Sequence, residues 1–189
     1  MDYEETYSAV IRIGSVFFVF AVVSIFGLFV VLDKVPNAYV KGTIKEKVYM
    51  NPLPELELPQ EKVLRLLKPL YSLKKFGRCW NDRINNYLES IQFRRCSFGP
   101  FVYVLHAEDG YVLLGLYVDD ILMARSTQDI MKRVTQLLFD RYEIKFSSAE
   151  KFMGMNIKDN SRFFYFSQPR MVEELLVCFN MEYCKPVKT

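Results

Sequence analysis

The sequence predicts a single folded domain that mixes helices with antiparallel hairpin strands. Of its 189 residues, 51% are hydrophobic and 25% are charged, a balance typical of globular chains and not of disordered ones. This length suits one domain with a substantial core. Apolar residues repeat with helical spacing in some segments and form short runs bounded by turns in others, which predicts both kinds of element.

The first element is an uncharged run, residues 13–32, which is 20 residues long and could span a bilayer. A buried helix that turns at Gly27 into a buried strand would have the same composition. The flanking charges show no clear positive-inside bias. Two hypotheses therefore stand for this run: a helix and strand of the core, or a membrane anchor.

Helices and hairpins alternate after this run. In chain order, the pattern predicts a proline-rich excursion (51–60), a helix (77–92), strands (101–105, 111–117 and 121–124), a helix capped at 126–129, a hairpin (152–157 with 163–166) and a last helix from Pro169. The last helix is expected to bury four apolar side chains, those of Val172, Leu175, Leu176 and Phe179.

The rarer residue types exclude several kinds of site. His106 is the only histidine, so a zinc site with two or three imidazoles is excluded. The four cysteines form no CxxC pair, which argues against a zinc ribbon or a redox dithiol. We expect free thiols and an intracellular location, cytoplasmic or nuclear. Any metal would then be a hard ion held by carboxylates.

Positive charge is concentrated in residues 62–95, which carry nine basic side chains and two acidic ones, a net charge of +7. Aromatic residues are interleaved with these cations. Cations that follow a phosphate backbone, beside rings that stack on bases, are typical of nucleic-acid binding. The alternative is a solvated helix face whose aromatic side chains point into the core.

Two adjacent aspartates, Asp119 and Asp120, lie between two strongly apolar strands. They could simply form a turn, for which aspartate is well suited. Like charges at the rim of a core are costly unless a cation neutralises them, however, and a divalent ion would do so. Asp33 is the candidate third carboxylate, because it also follows a predicted buried strand. Such a set could hold the two metal ions of a phosphoryl-transfer site.

Residues 117–120 (YVDD) with their apolar flanks resemble the catalytic hairpin of reverse transcriptases, and other words resemble the Ty1/copia retrotransposon class. These words occur in order from end to end: 2–7 (DYEETY), 38–42 (AYVKG), 48–50 (VYM), 70–74 (LYSLK) with Arg78 and Trp80, 152–155 (FMGM) and 185–189 (KPVKT). The resemblance covers the whole chain. It implies an α+β fold, a palm-like antiparallel sheet backed by helices, with incomplete fingers and thumb.

The resemblance also implies an activity and its residues. Asp33, Asp119 and Asp120 would be catalytic, and Asp33 and Asp119 would bind Mg²⁺, with Mn²⁺ as the alternative ion. The expected partners are an RNA or DNA template–primer, deoxynucleotides and the missing parts of a Pol polyprotein. Seven further positions would contact nucleotide or nucleic acid: Tyr39, Tyr117 and Ser72 the nucleotide, and Lys74, Lys75, Arg78 and Trp80 the nucleic acid.

The sequence departs from the family pattern in spacing and in extent. The family aspartate stands four residues before the alanine of its DVxxAF word, whereas Asp33 stands five before Ala38. One extra residue in an extended segment turns the following side chains to the opposite face unless a bulge absorbs it. Residues 1–189 are expected to form one reverse-transcriptase domain truncated at both ends, and lost positioning groups would weaken catalysis.

Three functional hypotheses follow. The first is the palm of an RNA-directed DNA polymerase, a nucleotidyltransferase whose activity truncation would weaken or abolish. The second is a nucleic-acid-binding relic that keeps the basic segment without an assembled metal site. The third is a small membrane protein anchored by residues 13–32.

Overall fold

The computed structural model describes residues 10–42, 44, 47–53, 55–56, 59, 62–70, 76–147, 150–160 and 163–185, apart from the side chains of residues 39, 76, 146 and 147. Its contacts divide the chain into two compact units, Met1–Ser147 and Ser148–Thr189. Helices and strands occur in both, and the α+β class is confirmed.

A six-stranded antiparallel sheet forms the first unit, in the order β4-β5-β6-β7-β1-β8. Its elements are α1 (Ile13–Phe26), β1 (Phe29–Lys34), a 3-10 turn (Tyr39–Lys41), β2 (Tyr49–Met50), β3 (Leu64–Arg65), α2 (Phe76–Ser90), β4 (Arg94–Cys96), β5 (Gly99–Ala107), β6 (Gly110–Tyr117), β7 (Asp120–Arg125), α3 (Gln128–Tyr142) and β8 (Lys145–Ser147). The short strands β2 and β3 pair separately. Strand β1 therefore lies beside β7, the second strand of the hairpin that carries the paired aspartates.

The uncharged run folds as a helix followed by a strand, as the first of the two hypotheses predicted. Gly27, with φ 61°, ends α1 in the left-handed conformation that glycine adopts without steric cost. One face of α1 is buried, but Phe17, Phe18 and Phe26 on the other are 44–65% exposed, so the helix is only half covered. Among the described residues, no helix combines the length and the apolar character needed to cross a bilayer.

The main core lies between the sheet and the helices α2 and α3. Its helical side chains are buried at helical spacing: Trp80, Ile84 and Leu88 from α2, and Ile130, Val134 and Leu138 from α3. Each fully buried aliphatic side chain contributes roughly 1.5–3 kcal/mol relative to its exposed state. Thr127 caps α3, since its side chain accepts a hydrogen bond from the backbone N–H of Ile130. This packing fixes the strands that carry the aspartates.

The second unit contains β9 (Lys151–Phe152), β10 (Met155–Asp159), β11 (Phe164–Ser167) and α4 (Pro169–Cys178). The predicted hairpin is present as the antiparallel pair β10–β11. The prediction that α4 buries an apolar face is wrong. Leu176 is half-buried, and the other three predicted core residues are exposed: Val172 (54%), Leu175 (46%) and Phe179 (68%). Three short strands offer too little apolar surface to cover a helix face.

Candidate active site at residues 117–120

A strained two-residue turn joins β6 to β7. Tyr117 pairs with Asp120, and Val118 and Asp119 form the turn between them. Val118 has φ 55°, in the left-handed region that β-branched residues rarely adopt. Such a conformation costs on the order of 1–3 kcal/mol and persists only where the surroundings hold it.

Backbone and side-chain hydrogen bonds hold this turn from two neighbouring segments. The indole Nε1–H of Trp80, on α2, donates to the carbonyl oxygen of Val118 at 2.7 Å. The backbone N–H of Val35, directly after β1, donates to the carbonyl oxygen of Asp119 at 2.7 Å. The turn is therefore tied to both the helix behind the sheet and the strand beside it.

Trp80, which the resemblance implies as a nucleic-acid contact, lies in the core. Its side chain is 2% exposed and packs edge-on against Tyr142, with 5.3 Å between ring centroids. A buried ring offers no face on which a base could stack. Its contribution to the site is to position the turn through the bond to Val118.

Asp33 points away from the paired aspartates. In the β1–β7 ladder Asp33 stands opposite Ile121, and Lys34 stands opposite Asp120. Paired residues share a face and successive residues alternate, so Asp33 faces the core with Ile121 while Lys34 faces the side of Asp120. The register runs from Phe29 to Lys34 without a bulge. The one extra residue between Asp33 and Ala38, relative to the family spacing, is thus not accommodated by a bulge within β1.

The Asp33 carboxyl group is buried without compensation. Asp33 is 1% exposed, and neither of its carboxylate oxygens has a hydrogen-bond partner among the described residues. Burial raises the pKa of Asp33 to about 6, because the charged form is poorly solvated there.

Lys34 supplies the cation at the paired aspartates. Its ammonium Nζ lies 3.0 Å from Oδ2 of Asp119 and 3.6 Å from Oδ1 of Asp120. The hydrogen bond to Asp119 raises the pKa of Lys34, with burial acting in the opposite sense. Burial raises the pKa of Asp120, and the neighbouring Lys34 ammonium partly offsets that effect. One ammonium group therefore serves both carboxylates.

The structure brings Asp119 and Asp120 together but does not bring Asp33 to them, so the predicted three-carboxylate set is not assembled. Among the described residues, no group of three or more histidine, cysteine, aspartate or glutamate side chains could hold a metal ion. Asp33 faces the core with Ile121, and its assignment as a metal ligand stays a prediction. The residues that the structure describes do not fit a two-metal site in this arrangement.

The other predicted contact residues are only partly described. Tyr39 begins the 3-10 turn, but its side chain is outside the described part, and so are Ser72, Lys74 and Lys75. Tyr117 is half-buried at the end of β6. In the basic segment, the exposed described cations are Lys62, Arg65, Lys68, Arg78, Arg94 and Arg95. Its described aromatic side chains turn inward: Trp80 and Phe93 are buried and Tyr87 is half-buried.

Comparison with known proteins identifies the family of the chain. A family model described as reverse transcriptase (RNA-dependent DNA polymerase) matches residues 1–189. The chain belongs to this reverse transcriptase family. It is 28% identical to the retrovirus-related Pol polyprotein from transposon TNT 1-94 of Nicotiana tabacum, covering all of this chain and 15% of that protein. It is 31% identical to the corresponding polyprotein from transposon RE1 of Arabidopsis thaliana, covering all of this chain and 13% of that protein.

A putative transposon Ty5-1 protein of Saccharomyces cerevisiae is 33% identical over 67% of this chain and 42% of its own length. No solved structure matches the chain. The chain spans 13–15% of the plant polyproteins it matches over its full length, so it corresponds to one part of them. The predicted membership in the Ty1/copia class of reverse transcriptases is confirmed.

Sequence reasoning missed Lys34, the residue that most changes the chemistry of this site. The signal was present, because Lys34 stands four residues before Ala38, the spacing that the family motif gives to its aspartate. Trp80 was noticed but given a surface role. Nothing in the sequence indicated that its indole would bond to the turn.

Proposed function

We propose that this reverse-transcriptase domain binds a nucleic-acid template–primer without performing nucleotidyl transfer. Reverse transcriptases generally depend on divalent metal ions, and the chain retains the hairpin that resembles their catalytic turn. The observation that carries the proposal is the orientation of Asp33. With Asp33 facing the core, two carboxylates remain at the turn where the resemblance implies three.

The missing third carboxylate bears directly on the chemistry. In a two-metal site the ions clamp the attacking and leaving oxygens of the displaced phosphoryl group. Two adjacent carboxylates paired with an ammonium group supply neither the charge nor the ligands for such a clamp. Attack of a primer 3′-hydroxyl on a nucleotide α-phosphate would then lack its main electrostatic stabilisation.

Binding of nucleic acid rests on the exposed cations of residues 62–95. Six of them are exposed in the described part, while Asp82 and Glu89 are the acidic residues of the whole segment. Phosphate contacts of this kind need cations at the surface and no stacked aromatic rings. The inward packing of the described aromatic residues therefore leaves an electrostatic mode of binding, with little discrimination between sequences.

Fluorescence anisotropy with a labelled RNA–DNA primer duplex tests the binding function. We expect affinity to fall steeply with salt, because each phosphate contact releases a counterion. Replacing Arg94 and Arg95 by glutamine should weaken binding and reduce the salt slope by about 1 for each lost contact. Asp119→Asn should bind at least as tightly as the wild type, since it removes a negative charge. Affinity that does not depend on salt would overturn the proposal.

Primer extension on an RNA template with Mg²⁺, and then with Mn²⁺, tests the absence of transfer. The wild type and Asp119→Asn should both give no extension product, while circular dichroism shows both to be folded. Extension by the wild type that disappears in Asp119→Asn would show a working metal site and would refute the proposal.

A further inference from the structure

We infer that Lys34 is the resident cation of this site, and that its ammonium group replaces a divalent ion and excludes one from Asp119 and Asp120. This inference deepens the proposed function by naming the residue that closes the site to metal.

The geometry places one positive charge where a metal would have to bind. The ammonium is within 3.0 Å of one carboxylate and 3.6 Å of the other, so a cation bridging both would lie beside it. Like charges at that distance repel, and the partly buried setting weakens solvent screening. Asp119 and Asp120 have side-chain exposures of 21% and 33%, so both carboxylates are partly buried, whereas the Lys34 side chain is 53% exposed and its repulsion is partly screened by solvent.

The strand register keeps Lys34 in this position. Lys34 stands opposite Asp120 on β7 and opposite Lys145 on β8, so all three share one face. The backbone N–H of Val35 is bonded to the carbonyl oxygen of Asp119, which anchors the chain directly after Lys34 beside the turn. The charged groups identified on this face are therefore two carboxylates and two lysines. Their charges already cancel, so a divalent ion would give this face a net positive charge.

The same register predicts which substitution opens the site. A carboxylate at position 34 would lie on the face of Asp120, beside Asp119, and would join two oxygen ligands already present. Lys34→Asp should therefore create a divalent-metal site. Lys34→Met, which keeps the length of the apolar stem and removes the charge, should relieve the repulsion and create a weaker site.

Titration of the isolated protein with Mn²⁺, followed by electron paramagnetic resonance of the free ion, measures this without nucleic acid or activity. We expect the wild type to show only weak, nonspecific Mn²⁺ binding. Lys34→Asp should bind Mn²⁺ at least about tenfold more tightly than that. Lys132→Asp is the matched control, because Lys132 is exposed on α3 and its replacement changes the net charge equally. The control should bind Mn²⁺ as the wild type does.

A double variant locates the gained site, since adding Asp119→Asn to Lys34→Asp should abolish the gain. If Lys34→Asp does not fold, Lys34→Met carries the test against the same control. Equal Mn²⁺ affinity in the wild type, Lys34→Met and any folded Lys34→Asp would overturn the inference. So would tight wild-type binding that Asp119→Asn removes. If the wild type does not bind the RNA–DNA duplex but the Mn²⁺ affinities follow the expected order, the proposed function is refuted and the inference about Lys34 stands.

Discussion

Asp33→Asn is expected to stabilise the first unit, and by an amount that grows with pH. The carboxyl group of Asp33 is 1% exposed and without a partner among the described residues, and burial raises its pKa from 3.8 to about 6. The folded state therefore holds the proton more tightly than the unfolded state. The contribution of protonated Asp33 to the free energy of unfolding is therefore complete below about pH 4 and is lost as the pH rises through about 6.

The magnitude follows from the two pKa values. Each tenfold difference in proton affinity is worth 1.36 kcal/mol, so the separation of 3.8 from about 6 corresponds to about 3 kcal/mol. Asparagine has nearly the same shape and does not ionise. The variant should therefore resemble the wild type near pH 4 and exceed its unfolding free energy by about 3 kcal/mol at pH 8.

Urea denaturation of both proteins at pH 4, 6 and 8 measures this difference. Asp82→Asn is the matched control, because Asp82 is exposed and its ion pair with Arg78, at 3.9 Å, is of the surface kind worth under about 1 kcal/mol. A pH-independent difference for Asp33→Asn, or a loss of stability at pH 8, would refute the buried orientation of this carboxylate.

Three further substitutions test the two ends of the β6–β7 hairpin and the helices beside it, each by urea denaturation. Trp80→Phe removes the donor to Val118 and should cost about 2 kcal/mol, because a strained turn loses its bond and the core loses volume; unchanged stability would contradict the positioning role. Gly110→Ala should lower the free energy of unfolding by roughly 2 kcal/mol, since φ is 137° and a Cβ would lie 2.3 Å from Oγ of Ser126. Gly14→Ala is the control, because Gly14 has open space around it and its replacement should not lower the free energy of unfolding. Thr127→Ala should cost about 1 kcal/mol through the lost cap of α3, and no change would show that the cap is replaceable.

The sequence predicted the elements whose periodicity was clear. Helix α2, the β6–β7 hairpin and the passage from α1 to β1 at Gly27 all follow from local patterns, since apolar spacing and a left-handed glycine act within a few residues. The sequence also placed the paired aspartates between two strands, and the structure has Asp119 in the turn and Asp120 at the start of β7. These features depend on short stretches of chain, which is why sequence reasoning reached them.

Features that depend on strand register or on contacts between distant parts of the chain were predicted less accurately. The face of Asp33 is set by the pairing of β1 with β7, and a one-residue difference reverses it. The inward position of Trp80 depends on α2 packing beside α3, whose Tyr142 lies against its ring. The exposed face of α4 has the same pattern as a buried one, because amphipathic spacing shows which face is apolar and not whether another surface covers it.

In this site Lys34, and not a metal ion, neutralises Asp119 and Asp120 while Asp33 faces the core. A crystal structure of the protein grown with MnCl₂, with an anomalous difference map calculated at the manganese edge, tests it most directly. We expect no anomalous peak at the turn, the Lys34 ammonium between the two carboxylates, and Asp33 buried beside Ile121. A manganese peak bridging Asp33 and Asp119 would contradict it.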